Sequence, residues 1–346
     1  RLIGLHQHIG APGLETCELQ FNRVLPGRHI GGERRGTQHF PGDQSINYTS
    51  PWAGGNFSII SGDDPKSLLM DKLSFQNLTD IFNEFGDNPA AGLARLPTTE
   101  LWAEKPPSDR KVNSLKEYVP DLHIMTPEEL PSHACFGLQY TTFNFFSPKF
   151  IGFLKDYLSD HGVTFVRREL AHIDEAFTYD PSTEAVFNAT GIGARNLPGV
   201  ADEKVYPTRG QIVVVRAPQI QQNATYWSPS ENTYIIPRPH SGGLVVLGGY
   251  LQKNNWNGDT LNYESVSILE RTRRLLPDLL KPGTFEIIRD VAGLRPSREG
   301  GVRIEREDRA DGKILIHNYG AGGTGYQAGY GMALTAVNLL YKTSKL

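Results

Sequence analysis

Two kinds of residue in this chain have the types and spacing to do chemistry. The first is glycine, clustered beside strand-like runs. Ala185-Val186-Phe187 leads into Asn188-Ala189-Thr190-Gly191-Ile192-Gly193, and the apolar run 212–215 follows Thr208-Arg209-Gly210-Gln211. The run 244–247 sits between Gly242-Gly243 and Gly248-Gly249, and 314–316 leads into Asn318-Tyr319-Gly320-Ala321-Gly322-Gly323-Thr324-Gly325. Strand, glycine turn, helix is the arrangement that lets a backbone approach a phosphate or a flat cofactor ring. The second is Arg295, within Gly293-Leu294-Arg295-Pro296. A buried guanidinium can grip a carboxylate through two parallel hydrogen bonds, fixing position and plane. An Arg beside Pro can equally serve a structural salt bridge. Tyr234, in Tyr234-Ile235-Ile236-Pro237, reads by itself as a half-buried strand aromatic.

The elements that must position these residues follow from periodicity. Apolar Phe150, Phe153, Leu154 and Leu158 predict a helix over 149–161, with Gly162 as its C-terminal cap and a strand at 163–165. A final helix over 326–342 places Ala333, Ala336, Val337 and Leu340 on one face. The stretch 84–116, rich in Pro, Gly, Ala and charge, reads as an irregular surface excursion. Residues 2–9 read as a strand, and Gly10-Ala11-Pro12-Gly13 as a phosphate-binding turn opening a helix at Leu14. A dinucleotide fingerprint needs G-x-G-x-x-G, and His8 stands where the first glycine belongs. Glu33 lies about 20 positions on, where an acid would hold a ribose. His6 and His8 form an H-x-H pair with no carboxylate or cysteine cluster to complete a metal site, so they read as structural.

Composition bounds the function. The chain has 346 residues, with 35 Lys+Arg against 38 Asp+Glu and a formal charge of −3, which excludes a polybasic nucleic-acid binder. No apolar run reaches the ~18 residues of a membrane span. Cys17 and Cys135 make neither a disulfide scaffold nor a four-cysteine metal site. The expectation is a soluble globular enzyme. Ser344-Lys345-Leu346 is the tripeptide read as a peroxisomal address, which predicts a matrix protein carried by the peroxisomal import receptor. The opening residues do not read as a secretory leader, and Arg1 in place of Met reads as an incomplete or processed start.

From His39 onward the sequence resembles the D-amino-acid oxidase family of flavoenzymes. The motifs that carry the resemblance are Ser50-Pro51-Trp52-Ala53-Gly54-Gly55-Asn56, Asn188-Ala189-Thr190-Gly191, Arg209-Gly210-Gln211, Tyr234-Ile235-Ile236-Pro237, Gly293-Leu294-Arg295-Pro296 and His317-Asn318-Tyr319-Gly320 with its glycine loop. The departure is the first 38 residues, which keep only the latter half of the fingerprint and have Gln38 where an acid is expected. The resemblance implies an α/β protein: a Rossmann-like FAD-binding domain (1–57, 140–195 and 287–346) interleaved with an α+β substrate domain (58–139 and 196–286) built on a mostly antiparallel sheet.

It also implies a site. Arg295 and Tyr234 would hold the substrate carboxylate, and the carbonyl of Gly323 would accept from its amine. Ser50, Gly54, Gly55 and Asn56 would approach one side of the flavin ring. Gly320, Gly322, Gly323, Thr324, Gly325, Tyr326 and Gln327 would wrap its pyrimidine side, with Gln327 at the O2 edge. Thr190 and Gly191 would lie near the diphosphate or ribose, Leu170 near adenine, and Gly10 and Gly13 at the pyrophosphate. The implied reaction is direct hydride transfer from a D-amino acid to flavin N5. Reoxidation by dioxygen gives hydrogen peroxide, and the imino acid hydrolyses to a 2-oxo acid and ammonia. Leu251 stands where an acidic-substrate subfamily has Arg, and a candidate lid over 222–233, with Tyr226 and Trp227, has no Lys or Arg. Neutral D-amino acids are therefore the expected substrates. Arg238 and His240, expected to face solvent after Pro237, keep D-aspartate as the alternative. A flavin-free binding protein is a further one, and a homodimer accords with the family.

Overall fold

The computed structural model describes residues 2–6, 34–37, 39–277 and 281–341. Gly10, Gly13, Glu33, Gln38 and the tail tripeptide Ser344-Lys345-Leu346 lie outside them. Two sheets organise the described chain. The six-stranded sheet runs, edge to edge, Arg303–Asp308, Ile314–Tyr319, Ala185–Asn188, Leu2–His6, Arg34–Thr37 and Thr164–Arg167. All its pairings are parallel except the one between its first two strands. Ala185–Asn188 is buried along its whole length, as a parallel strand covered on both faces should be. Its strands come from the start, middle and end of the chain, so the α/β half is assembled from distant pieces.

The nine-stranded sheet is mostly antiparallel. Its longest pairing joins Val205–Arg216 to Glu286–Arg298, which sets Arg295 opposite Thr208 and Gly293 opposite Gly210. Phe136–Phe145 and Glu286–Arg298 both hydrogen-bond in this sheet, so residues 140–145 and 287–298 pair with it rather than with the parallel one. An aromatic core lies on it, with Phe57, Phe75 and Phe143 in edge contacts at 5.0–5.1 Å between ring centres.

The helix Ser147–Asp160 buries Phe150, Ile151, Leu154 and Leu158, and the chain turns out of it at Gly162 with φ +90°. The final helix, Gly325–Tyr341, packs on Pro65–Phe85 so closely that a Cβ at Gly331 would lie 2.5 Å from the Met70 backbone. Gly331 N also donates to Ser74 Oγ at 3.0 Å across that contact.

The expectation for 84–116 is corrected. Leu93–Trp102 is an inner strand of the large sheet, antiparallel to Phe136–Phe145 and parallel to Asn223–Trp227, and Asp109–Lys116 is a helix. Pro97 misled because a proline argues against an inner strand. It stands one residue before the parallel partner begins, where Thr98 pairs with Asn223.

Candidate active site

Strand alternation decides what the Arg209-Gly210-Gln211 motif does. Arg209 and Gln211 point to one face and tie the fold together. Arg209, fully buried, bonds Glu264 Oε2 at 2.8 Å, Gln252 Oε1 at 2.8 Å and the carbonyls of Asn257 and Asp259. Gln211 Nε2 donates to Leu261 O and Ser265 Oγ at 2.8 Å. Gly210 points the other way, into a cleft whose empty space is about 1110 Å³, open solvent at its mouth included. There it lies against Arg295, and its missing side chain is the room the guanidinium occupies.

Arg295 lines this cleft without an ion-pair partner among the described residues. Its Nη1 donates to Tyr250 O at 3.0 Å and Thr208 O at 3.4 Å, and its Nη2 to Tyr234 Oη at 3.4 Å. Among the described residues no carboxylate stands within ion-pair distance of it, so the structural salt bridge does not form. Tyr234 lies over Gly248 and Gly249, where a Cβ on either would come within 2.6 Å of its ring or hydroxyl. Leu251, Trp227 and Asn232 also line the cleft.

The glycine loop closes another side. Gly322 has φ +58° and donates to Pro296 O at 2.8 Å, which holds the loop against the strand carrying Arg295. A Cβ on Gly323 would make only ordinary contact with Arg295 Cδ, at 3.6 Å, so its backbone is an immediate neighbour of Arg295. Gly325 and Tyr326 open the final helix onto the cleft, and Tyr326 Oη donates to Ser50 O at 3.2 Å. Across from them run Ser50, Gly54, Gly55 and Asn56. Gly55 has φ +82°, and a Cβ there would strike Phe145 O at 2.7 Å.

Other expected site residues are placed elsewhere. Thr190 and Gly191 lie at the carboxyl end of Ala185–Asn188, where open α/β sheets bind nucleotides, but outside the cleft lining. Thr190 Oγ1 donates to Asn188 Oδ1 at 2.7 Å. Leu170 packs on the cluster of Ile173, Phe177 and Val186. Gly320, with φ +91°, backs onto Arg298, and Thr324 caps locally on Ala321 O. Gln327 turns inward: its Nε2 donates to Asp71 Oδ2 at 2.6 Å and Ser61 Oγ at 2.8 Å, and its Oε1 accepts from Ser58 N. Tyr226 points away from the cleft and donates to His133 O at 2.8 Å. Its neighbour Trp227 faces in, because successive strand residues alternate.

Two expectations are corrected. Arg238 is buried, not solvated: its Nη2 donates to Ala53 O at 3.2 Å and its guanidinium lies 5.6 Å from the Phe146 ring centre. Burial, reinforced by Arg289, pulls its pKa down to about 10. It stands behind the Ala53 backbone and does not line the cleft, whereas His240 is exposed with φ +53°. The lid over 222–233 is two antiparallel strands, Asn223–Trp227 and Thr233–Pro237, joined by a short turn. Asn232 O fixes that turn by accepting from Gly249 N and Arg271 Nη1.

Sequence reasoning missed a buried polar group beside the cleft. Asp71 accepts from Gln327 and from Ser61 Oγ at 2.9 Å, and burial raises its pKa to about 7. Lys111 Nζ donates to Ser61 O, and burial lowers its pKa. Glu100, wholly buried, accepts from Tyr140 Oη at 2.5 Å and Trp227 Nε1 at 2.7 Å. Nothing in the sequence marks these carboxylates as different from surface ones.

The cleft fits a flavin nucleotide on its own atoms. Glycine backbone at 54–55 and 322–323 leaves a slot for a flat ring, and a helix N-terminus opens into it. Ser50 Oγ, buried at the cleft, has no hydrogen-bond partner among the described residues, nor do Asn318 Oδ1 and Nδ2 at the carboxyl edge of the parallel sheet. A bound cofactor would satisfy such groups.

Residues 38–339 match the FAD dependent oxidoreductase family (DAO), which defines the class: a flavin-dependent redox enzyme. The chain is 40% identical to a D-amino-acid oxidase of Schizosaccharomyces pombe, over 89% of its own length and 88% of that protein's. It is 29% identical to a D-aspartate oxidase of Talaromyces thermophilus, over 87% and 81% of the two chains. Among solved structures it resembles L-proline dehydrogenase from P. horikoshii (TM-score 0.74, 15% identity, 100% and 94% covered) and glycine oxidase from Geobacillus kaustophilus (0.68, 18%, 99% and 95%), which share its fold. The chain belongs to the D-amino-acid oxidase family, and its cofactor is FAD.

Proposed function

We propose that the protein oxidises neutral D-amino acids to 2-oxo acids, ammonia and hydrogen peroxide. The observation that carries this reading is Arg295, an unneutralised guanidinium in the cleft, held by two carbonyls and beside Tyr234. It would take the substrate carboxylate through two hydrogen bonds, with Tyr234 Oη supplying a third. The Gly323 carbonyl would accept from the α-amine, fixing which face of the substrate is presented. FAD, held along the glycine backbone at 54–55 and 322–323, would supply a two-electron acceptor that dioxygen reoxidises to give hydrogen peroxide. None of the described cleft-lining residues is Asp, Glu, His or Lys, so their contribution is positioning and electrostatics rather than acid–base transfer. Water then splits the imino acid into 2-oxo acid and ammonia.

The preference for neutral side chains rests on the lining. Arg295 is the one cation among the described lining residues, and Leu251 and Trp227 are apolar, so a second substrate carboxylate would be desolvated without a partner. The proposal includes the interleaved division, with 1–57, 140–195 and 287–346 holding FAD, of which 140–145 and 287–298 do so from the large antiparallel sheet. It also includes peroxisomal import through Ser344-Lys345-Leu346 and a homodimer. A peroxide-coupled panel of the FAD-loaded enzyme tests the activity. D-alanine, D-methionine and D-phenylalanine should exceed D-aspartate by at least tenfold in kcat/KM. The reverse order would assign an acidic-substrate oxidase, and a colourless protein without turnover would assign a binding protein.

A further inference from the structure

The wall of the cleft contributed by Trp227 is braced from behind by a buried carboxyl group. Glu100 and Trp227 sit on neighbouring parallel strands, where Glu100 pairs with Thr225 and Trp102 with Trp227. Glu100 Oε2 accepts the indole N–H of Trp227 at 2.7 Å, while Oε1 accepts from Tyr140 Oη at 2.5 Å. Trp102 stacks on the indole at 6.3 Å between ring centres and 23° between planes, and Phe136 packs on Trp102 in turn. Trp227 O also accepts from Ala103 N at 2.9 Å. The indole is therefore pinned at its nitrogen, its ring face and its backbone, and it presents a rigid surface to the cleft that contains Arg295 and Tyr234.

A carboxyl group in a core is costly, and burial raises the pKa of Glu100. Two donors aimed at its two oxygens offset that cost, and one of them comes from a cleft-lining side chain. The turn of chain beyond Trp227 is held at its far end, where Asn232 O accepts from Gly249 N and Arg271 Nη1.

We propose that Trp227 is the residue that limits substrate side-chain size, and that Glu100 is the positioning residue that makes it rigid. This rests on the D-amino-acid reading above. A small side chain stops short of the indole, while a large one must displace it. Removing the brace should then relax the limit without touching the carboxylate clamp.

The test compares Glu100→Leu, Glu100→Gln, Trp227→Leu and the unaltered holoenzyme on D-alanine and D-phenylalanine. Glu100→Leu should leave D-alanine kcat/KM within about threefold, and raise the D-phenylalanine to D-alanine ratio at least fivefold through KM rather than kcat. Trp227→Leu should raise that ratio further. Glu100→Gln, whose side-chain oxygen can still accept the indole proton, should restore the original ratio. An independent readout is the indole N–H resonances of ¹⁵N-tryptophan-labelled protein, with Trp227→Phe assigning the signal. That signal should be the slowest to exchange with deuterium, become fast in Glu100→Leu and recover in Glu100→Gln. Should Glu100→Leu fail to fold, Trp227→Leu and Trp227→Phe still test the size limit. An unchanged ratio in the Trp227 variants, or a parallel change for both substrates in Glu100→Leu, would overturn this proposal alone. An unaltered enzyme inactive on both substrates would overturn the reading of function, and this proposal with it.

Discussion

Gly210 lies directly beneath the guanidinium of Arg295: a Cβ added to the glycine would stand 2.6 Å from Nη2 and 2.7 Å from Cζ. The two residues belong to paired strands, with Gly210 opposite Gly293 and Arg295 opposite Thr208, so neither can shift without disturbing the longest ladder in the protein. The seat of the guanidinium is thus built from an absence on one strand and a charge on the other.

Gly210→Ala should displace Arg295 while leaving the fold intact, because the added methyl meets a side chain rather than backbone. KM for D-alanine should rise at least tenfold, since a misplaced guanidinium loses ~1.5–3 kcal/mol of charge-assisted bonding. Far-UV circular dichroism and FAD content should stay at wild-type values. A KM within twofold of wild type would show that Arg295 does not hold the substrate.

Tyr234→Phe removes the hydroxyl 3.4 Å from Arg295 Nη2 and keeps the ring that packs over Gly248 and Gly249. The expected result is a rise of about fivefold to tenfold in KM, from one lost hydrogen bond, with little change in melting temperature. Steady-state kinetics on D-alanine, with thermal unfolding as control, checks both halves.

Asp71 makes stability depend on pH. Its carboxyl titrates near 7 when folded against an ordinary value of 3.8, so between about pH 4 and pH 7 the folded chain holds a proton that the unfolded chain has lost. The contribution is fully present below pH 4 and is lost as pH rises through 7. Asp71→Asn keeps a polar partner for Gln327 and Ser61 but cannot ionise. Its melting temperature relative to wild type should climb across that window and level off above it, by an amount corresponding to a few kcal/mol. A constant difference across the pH series would refute the assignment.

Arg209 and Glu264 are both fully buried and 2.8 Å apart. Arg209→Met strands the carboxylate in the core and should cost ~3–5 kcal/mol, read by denaturant unfolding. Adding Glu264→Leu should recover most of that loss, since an apolar pair of similar volume removes the unpaired charge. The double variant should keep its substrate KM, because these side chains point away from the cleft.

Much of this protein is decided by short stretches of sequence. The apolar runs of Ala185–Asn188 and Ile314–Tyr319, the amphipathic helix Ser147–Asp160 and the glycines at 322–323 carry their own signals. Periodicity and backbone freedom are properties of neighbouring residues, so these elements can be read locally. Arg295 and Tyr234 stand in motifs that the family resemblance singles out, and the fold brings both to one cleft. What the sequence left open is what each residue faces across the fold. Arg238 looked like a surface residue after a proline, yet the strand carries it behind Ala53. Tyr226 and Trp227 are equivalent in the sequence, and only the sheet decides which one enters the cleft. Leu93–Trp102 gained its inner position from partners at 136–145 and 223–227, which outweighed its proline. Glu100 and Asp71 differ from surface carboxylates because burial took them from water and gave them donors from other parts of the chain. Local pattern sets the backbone; desolvation and partner identity are set only when separate segments, from tens to more than two hundred residues apart, meet.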